Sequence, residues 1–520
     1  MTYRYYVVVT APSYKDDVYQ ELINVSTGGI TVPDRPVNCV NPRPHNEYVG
    51  EFELTLEEAE LLKTDYRIAD VHRDPLEMGA KIVHHTVQLG NFSKDTTGVV
   101  ASELNWGLAR CTATTEPFGT NTVLNQFPYN LTGAGVDIVL LDTGILKFHP
   151  EFAVNADGTG GSRVIDVDWS QYGIMPSNGT GSWVGDVDGH GSNCASIAAG
   201  NTNGWAKDAN IYVINIIDST NLSNTYTDPV SAYETIRAWH LAKPVTSTGY
   251  RRPTVCSNSW GYDIPYSGMT GTNYQGVMHV AGGPNPLYGQ IPPYGGQLSE
   301  AQHGIRVTAI ESTIASCQNA GIVFVGSAGN DSMKVDVPGG VDYNNYWIDN
   351  ANNTNYYHRG TTPSAATGVL CVGAISQATP EHKISFSNTG PRVDVFSPGN
   401  YIMGAYSNNN YLFNAVADPR SAVSTSTNTT FYLNKISGTS QACPQVTGIV
   451  ACLLQARPFY NQSMVNNFIK TTYTTGLLNE TYYGATTATV YLNYASLQGA
   501  TNAILYQLFN NPYPTSISSS

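Results

Sequence analysis

Four residue types that could share one reaction are spread through this chain: a carboxylate, an imidazole, a side-chain amide and a hydroxyl. Asp142 closes the apolar run VDIVLLDTG (136–144), and His190 lies in DGHGS ahead of a segment of small residues. Asn330 ends GIVFVGSAGN (321–330), and Ser440 stands at the start of SQACPQVTGIV (440–450). Each alone reads better as plain structure: a strand-end turn, an incidental loop histidine, a second turn, and a helix cap. Together they supply what acyl transfer by serine needs. The hydroxyl is a weak nucleophile, the imidazole takes its proton, and the carboxylate orients the imidazole. An amide and a helix N-terminal N–H can face the oxyanion of the tetrahedral intermediate. Gly144, Gly189, Gly191, Gly329 and Gly438 flank the four and let backbone come close to a substrate. Pro444 is expected in the first turn of the Ser440 helix, where a missing N–H is harmless.

The elements that must position these residues follow from period and punctuation. Apolar strands alternate with helices from about residue 105 onward. Strands are expected at 136–144, 209–218, 253–261, 321–330 and 368–376, with helices at 192–199, 230–241, 305–319 and 441–455. That alternation implies an α/β fold of three layers, a mainly parallel sheet covered on both faces, with functional residues at the carboxyl ends of its strands. The first 80 residues read as a separate small α+β unit, with strands at 5–10, 47–54 and 67–72 and helices at 15–23 and 54–65. Residues 81–104 have no firm pattern and read as a linker. Residues 105–505 form the large unit, and 506–520 a tail. Stretches rich in Gly, Tyr, Pro and Asn at 262–300, 335–362 and 405–432 read as long surface insertions.

Bulk properties narrow the function. The chain has 520 residues, with Lys+Arg 26 against Asp+Glu 40 and a net charge of −14. No basic run is present, which argues against nucleic acid as a partner. No apolar stretch approaches the length of a membrane span. The N-terminal residues do not resemble a secretory leader, so a cytoplasmic or virion-associated location is expected over a secreted one. The eight cysteines include no C-x-x-C pair, which fits free thiols better than a zinc ribbon.

The quoted segments resemble those of subtilisin-like serine peptidases (subtilases), most closely the proteinase K branch. LDTGI around Asp142, DGHGSNCASIAAG around His190, SAGND around Asn330 and SGTSQACPQVTG around Ser440 occur in that family's order. NWGLAR (105–110) is similar to the start of the mature enzymes, and Cys194 stands where the branch has a free thiol. The resemblance implies an Asp142–His190–Ser440 triad, with Asn330 and the Ser440 N–H at the oxyanion. It implies a substrate strand at Ser259, Trp260 and Gly261, with Ala328 and Gly329 also lining the substrate. The N-terminal unit resembles the family's propeptide, an inhibitor and folding chaperone removed by self-cleavage, here between residues 76 and 104. Proteins or peptides are then the substrates, and the chain's own N-terminal unit is an intramolecular partner. No cofactor is required. Calcium enters only as a structural possibility, because Asp394 in VDVFSPG (393–399) matches a position where relatives carry a calcium ligand, although a plain strand-end aspartate fits as well.

Some residues depart from the family pattern. Ser192 and Asn193 replace a usual Thr-His, and Gln441 replaces a usual Met. Trp260 and Tyr262 are larger than the common residues there, and either narrow the pocket for the residue before the scissile bond or pack beneath an insertion. A non-enzymatic structural or virion-associated protein that retains the fold is the rival reading, and a serine esterase the third.

Overall fold

The computed structural model describes the chain apart from residues 25–32, 34, 75–77, 79–80, 85–104, 116–128, 130, 156–159, 175–184, 218–226, 248, 266–268, 281–301, 411–420, 423–429, 482–494 and 508–520. The expected tail therefore lies outside the described residues except at its first two positions.

The N-terminal unit is a four-stranded antiparallel sheet in the order β2-β3-β1-β4. Its strands are β1 (Tyr3–Val9), β2 (Cys39–Asn41), β3 (Val49–Leu54) and β4 (Ile68–Arg73), and its helices are α1 (Lys15–Ile23) and α2 (Leu56–Leu62). Helix α2 starts where it does because Thr55 and Glu58 form a reciprocal capping box. Alternate side chains of β1 serve two cores. Tyr5, Val7 and Val9 pack under α1 and α2, whereas Tyr6 and Val8 join the core of the large unit. The small unit is thus docked by its open sheet face.

Strand β5 (Lys81–His84) follows, within the segment read as a patternless linker. Four residues ending in histidine give no periodic signal of their own, and the strand exists because it pairs with an edge of the large unit. Helix α3 (Trp106–Cys111) then opens that unit. Asn105 caps it, and the Asn105 and Gln445 side-chain amides are joined by hydrogen bonds in both directions.

The large unit is built on an eight-stranded sheet. Its parallel centre runs β17 (Val395–Pro398), β16 (Leu370–Ile375), β13 (Val323–Ser327), β8 (Thr254–Asn258), β6 (Asp137–Asp142) and β7 (Asn210–Asn215). The short strands β21 (Thr474–Thr475) and β22 (Ala503–Ile504) finish one edge. The run DIVLLD does not alternate because both its faces are covered. Ile138 and Leu140 pack with α4 (His190–Ala199) and α7 (Thr439–Ala456). Val139 and Leu141 pack on the opposite side with α5 (Pro229–Ala242) and α6 (Thr308–Asn319). The expected three layers result.

The chain leaves the sheet at Ser259 and continues as β9 (Trp260–Pro265), flanked by β5 and by β12 (Gln302–Gly304). The expected single strand at 253–261 is therefore two. The stretches read as insertions also carry structure: β10 (Gly271–Tyr274), β11 (Val277–Val280), β14 (Tyr346–Ile348) and β15 (Thr354–Tyr356) form one small sheet. Another joins β18 (Ile402–Ser407), β20 (Phe431–Ile436) and the two-residue β19 (Ser421–Ala422). Helix α8 (Gln462–Thr472) closes the set. Among the described residues, no helix is long and apolar enough to cross a membrane.

Candidate active site

Asp142 is the last residue of β6 and His190 the first of α4, and the two meet at the carboxyl end of the sheet. Their side chains join at 2.7 Å, His190 Nδ1 to Asp142 Oδ1, with both residues buried. A Cβ at Gly191 would come 2.1 Å from the Gly144 carbonyl and 3.1 Å from Asp142 Oδ1, so this close approach requires glycine there. Burial by itself would push the imidazole toward its neutral form. The Asp142 carboxylate, with Cys194 beside it, outweighs burial and holds the imidazole well above the usual histidine range.

Asp186 organises the loop before His190, a role the sequence reading missed. It accepts from the Gly189 N–H at 2.7 Å, the Thr143 hydroxyl at 3.0 Å and the Ser192 N–H at 2.9 Å. Its signal was a second aspartate in DVDGHGS, four residues before the histidine. Ser192 and Gln441 are tied into the surroundings: Ser192 Oγ accepts from the Leu146 N–H, and Gln441 Nε2 donates to Asn193 Oδ1 at 3.3 Å.

Ser440 is the second residue of α7. Its hydroxyl donates to the Ser259 carbonyl at 3.0 Å, while the Ser259 hydroxyl donates to the Ser440 carbonyl at 2.9 Å. The Cys194 thiol donates to that same carbonyl at 3.4 Å. These contacts correct the expectation for Pro444. It is the sixth residue of the helix, beyond the first turn, and the partner its missing N–H would have had is the Ser440 carbonyl. Ser259 and Cys194 supply the donors instead.

Cys194 lies 3.9 Å from both ring nitrogens of His190. The three side chains Asp142, His190 and Cys194 have ligand atoms within 4.8 Å of one another. They make a poor metal site, because carboxylate and imidazole are engaged with each other and burial pushes the thiol up, away from the thiolate a metal needs. The buried free thiol expected from the sequence fits this geometry.

Asn330 follows β13. Its Oδ1 accepts from both the N–H and the hydroxyl of Thr439, each at 3.0 Å, which fixes the amide beside the start of α7. Its Nδ2 is buried and finds no hydrogen-bond partner among the described residues. A buried amide donor is rarely left unused, and here it stands next to the Ser440 helix terminus. Gly329, just before it, has φ +103°, and a Cβ there would meet the Asn388 amide at 2.3 Å. Ala328 is buried in the core beside Phe396.

On the other side of Ser440 runs β9. Strand β5 pairs with it antiparallel, Lys81 with Asp263, Ile82 with Tyr262, Val83 with Gly261 and His84 with Trp260. Trp260 and Tyr262 pack inward. Both are fully or nearly fully buried, with Trp260 stacked on Tyr233 and edge-on to Tyr262, in the core under α5 and α6. What β9 offers to an incoming strand is its backbone.

Asp394 does not fit calcium. Its oxygens are held by Arg392 at 2.8 Å, by Lys470 at 2.6 Å and by the Cys371 N–H at 2.9 Å. A calcium ion takes six to eight oxygen ligands, and both oxygens of this carboxylate are already engaged by two cations of the chain itself.

Residues 133–494 match the Subtilase family, Peptidase S8. The chain belongs to that family. A subtilisin-like serine protease of Davidiella tassiana is 26% identical over 356 residues, which cover 68% of this subtilase and 49% of the relative. The extracellular serine proteinase of a Thermus species (strain Rt41A) is 26% identical over 366 residues, covering 70% of this chain and 60% of that one. The subtilase thus spans about half to three-fifths of the length of these curated relatives. Among solved structures, fervidolysin from Fervidobacterium pennivorans, a keratinolytic enzyme related to subtilisin, superposes with TM-score 0.52 at 16% identity. That match covers 99% of this chain and 62% of fervidolysin, and supports the fold alone.

Proposed function

We propose that this subtilase is a serine endopeptidase that cleaves protein or peptide bonds through an acyl-enzyme at Ser440 and first cleaves itself. The observation that carries the reading is the buried His190–Asp142 pair, 2.7 Å apart, beside a helix that bears Ser440 at its N-terminus and an Asn330 amide with a spare donor. With Nδ1 engaged by Asp142, Nε2 of His190 is the basic nitrogen. It takes the Ser440 proton as Oγ attacks the substrate carbonyl carbon. The resulting oxyanion is met by Asn330 Nδ2 and by the Ser440 N–H, one of the first helical donors with no carbonyl of its own helix behind it. Collapse expels the amine, which leaves with the proton from His190, and water then releases the acyl group by the same steps in reverse. Asp142 favours the imidazolium that forms on the way, in keeping with the direction of its effect on His190.

The β5–β9 pair supports the self-processing part. A peptide that adds to a sheet edge presents its backbone in a fixed register. His84 pairs with Trp260, and the next residue along that edge is Ser259, whose carbonyl is 3.0 Å from Ser440 Oγ. The bond that follows His85 is therefore the expected scissile bond, inside the 76–104 window. The N-terminal unit, docked on α5 and α6, would hold this product strand in the cleft as an inhibitor.

Intact-mass analysis tests the reading. Wild type should lose residues 1–85 and then turn over a peptide amide, while Ser440→Ala stays at 520 residues and inert. Turnover of esters without amides would favour an esterase. A wild type that keeps its full mass, and is inert after its N-terminal unit is removed by an added protease, would favour a non-enzymatic protein.

A further inference from the structure

The site around Asp394 is built like a cation site, yet the cation is part of the chain. Arg392 Nη2 lies 2.6 Å from the Ser364 carbonyl, 2.9 Å from Ala366 and 2.8 Å from Val369. Three carbonyl oxygens from one turn converging on one nitrogen is the arrangement a metal ion commonly collects. Nη1 of the same guanidinium holds Asp394 Oδ2 at 2.8 Å, and Lys470 Nζ holds Asp394 Oδ1 at 2.6 Å. The adjoining cleft, about 300 Å³, is lined by Arg306, Arg359, Arg392 and Lys470 against only Asp336 and Asp394. A dication entering it would meet more positive than negative charge and a set of oxygens already spent.

We propose that Arg392 is a built-in replacement for a structural metal ion, so that this subtilase holds the 364–369 turn without calcium. The turn matters to the site. Just before it, Thr361 Oγ1 accepts from the Tyr262 N–H at 2.8 Å and donates to the Tyr262 carbonyl at 3.0 Å, gripping β9. The guanidinium therefore anchors the segment that supports the edge strand paired with β5. A fixed guanidinium satisfies the carbonyls by directed hydrogen bonds, needs no ion from solution, and cannot be chelated away. The inference concerns folding alone and stands whether or not Ser440 is a nucleophile.

The test is thermal unfolding of the full-length chain carrying Ser440→Ala, which removes self-cleavage, with calcium and with a chelator. The calcium response should be the same, within about 1 °C, with and without Asp394→Asn. A calcium-induced rise that Asp394→Asn abolishes would overturn the proposal. Arg392→Ala should lower the midpoint in chelator by about 3–5 °C, as expected when a buried pair is broken from one side in a chain of this length. It should also gain a calcium response and terbium luminescence that the parent chain lacks. An Arg392→Ala chain as stable as its parent in chelator would equally overturn it. Should that variant not fold in chelator, refolding it with and without calcium gives the same reading: recovery with calcium supports the replacement, and failure in both, with an Arg392→Lys chain that also fails, contradicts it.

Discussion

Asn330→Ala and Asn330→Asp together separate the two jobs given to the Asn330 amide, and alanine removes both. The amide Nδ2 has no partner among the described residues, so removing it breaks no hydrogen bond there, and the loss falls on the oxyanion. Losing one such donor costs about 10²–10³ in kcat, or about 2.7–4 kcal/mol, a figure that comes from subtilisin itself, a member of this family. Its Oδ1 holds the Thr439 N–H and hydroxyl, each at 3.0 Å. Two lost hydrogen bonds at about 0.5–1.5 kcal/mol each give roughly 1–3 kcal/mol of stability. Asn330→Asp keeps that acceptor and removes only the donor, so it should be nearly as stable as wild type. Its activity should fall below that of the alanine variant, because a carboxylate would face the oxyanion. The assay is kcat and KM on a peptide anilide after processing, with thermal unfolding alongside. KM should stay within about threefold in both variants, since the donor acts on charge present only in the transition state. A loss carried by KM, or an alanine variant with kcat within about threefold of wild type, would refute the reasoning.

Three further outcomes follow from the same contacts. Asp142→Asn should lower kcat by about 10⁴, the value known for the corresponding change in a chymotrypsin-type triad. Activity needs neutral His190, and Asp142 raises its pKa, so the rising acid limb of kcat/KM should move to lower pH in this variant, read from a pH–rate profile. Ser259→Ala should destabilise the chain by about 1–2 kcal/mol in chemical unfolding, because Pro444 cannot satisfy the Ser440 carbonyl. Restoring an N–H with Pro444→Ala should recover part of that loss only in the Ser259→Ala background. At the docking face, burial raises the Glu234 carboxyl to about 7 despite Arg43, which is shared with Glu51 and Asp228. The docked form then binds a proton that a solvated Glu234 would release, so this contribution to stability is fullest below about pH 4.5 and is lost as pH rises through 7, by on the order of 3 kcal/mol. Glu234→Gln should flatten the unfolding midpoint of the Ser440→Ala chain across that window.

Parts of this arrangement were legible in the sequence because their signals are local. Both faces of DIVLLD are buried, so its apolar run marked a central strand, and the small residues after His190 marked a helix, which the fold packs against α7. Elements made by pairing left no such trace. Strand β5 depends on β9, and the turn between β8 and β9 is set by Ser259 reaching Ser440. Helix α8 was missed because its sequence is mostly polar, with Val465 and Ile469 its two buried apolar residues, although Asn461 caps it. The same distinction holds at the site. Asp142, His190, Asn330 and Ser440 stand in recognisable motifs, whereas Asp186 works through hydrogen bonds that only the folded loop creates. Asp394 shows the opposite case: the motif suggested a metal ligand, and the neighbours that fill its shell, Arg392 and Lys470, act through geometry that no spacing displays.

The central claim is that Ser440 is an activated nucleophile, and the direct measurement is labelling by a fluorophosphonate, followed by peptide mapping. One adduct is predicted, on Ser440, in chain from which residues 1–85 have been removed, and none in Ser440→Ala or after heat unfolding. Processed, folded chain that takes up no label, or that takes it up at a residue other than Ser440, would contradict the account.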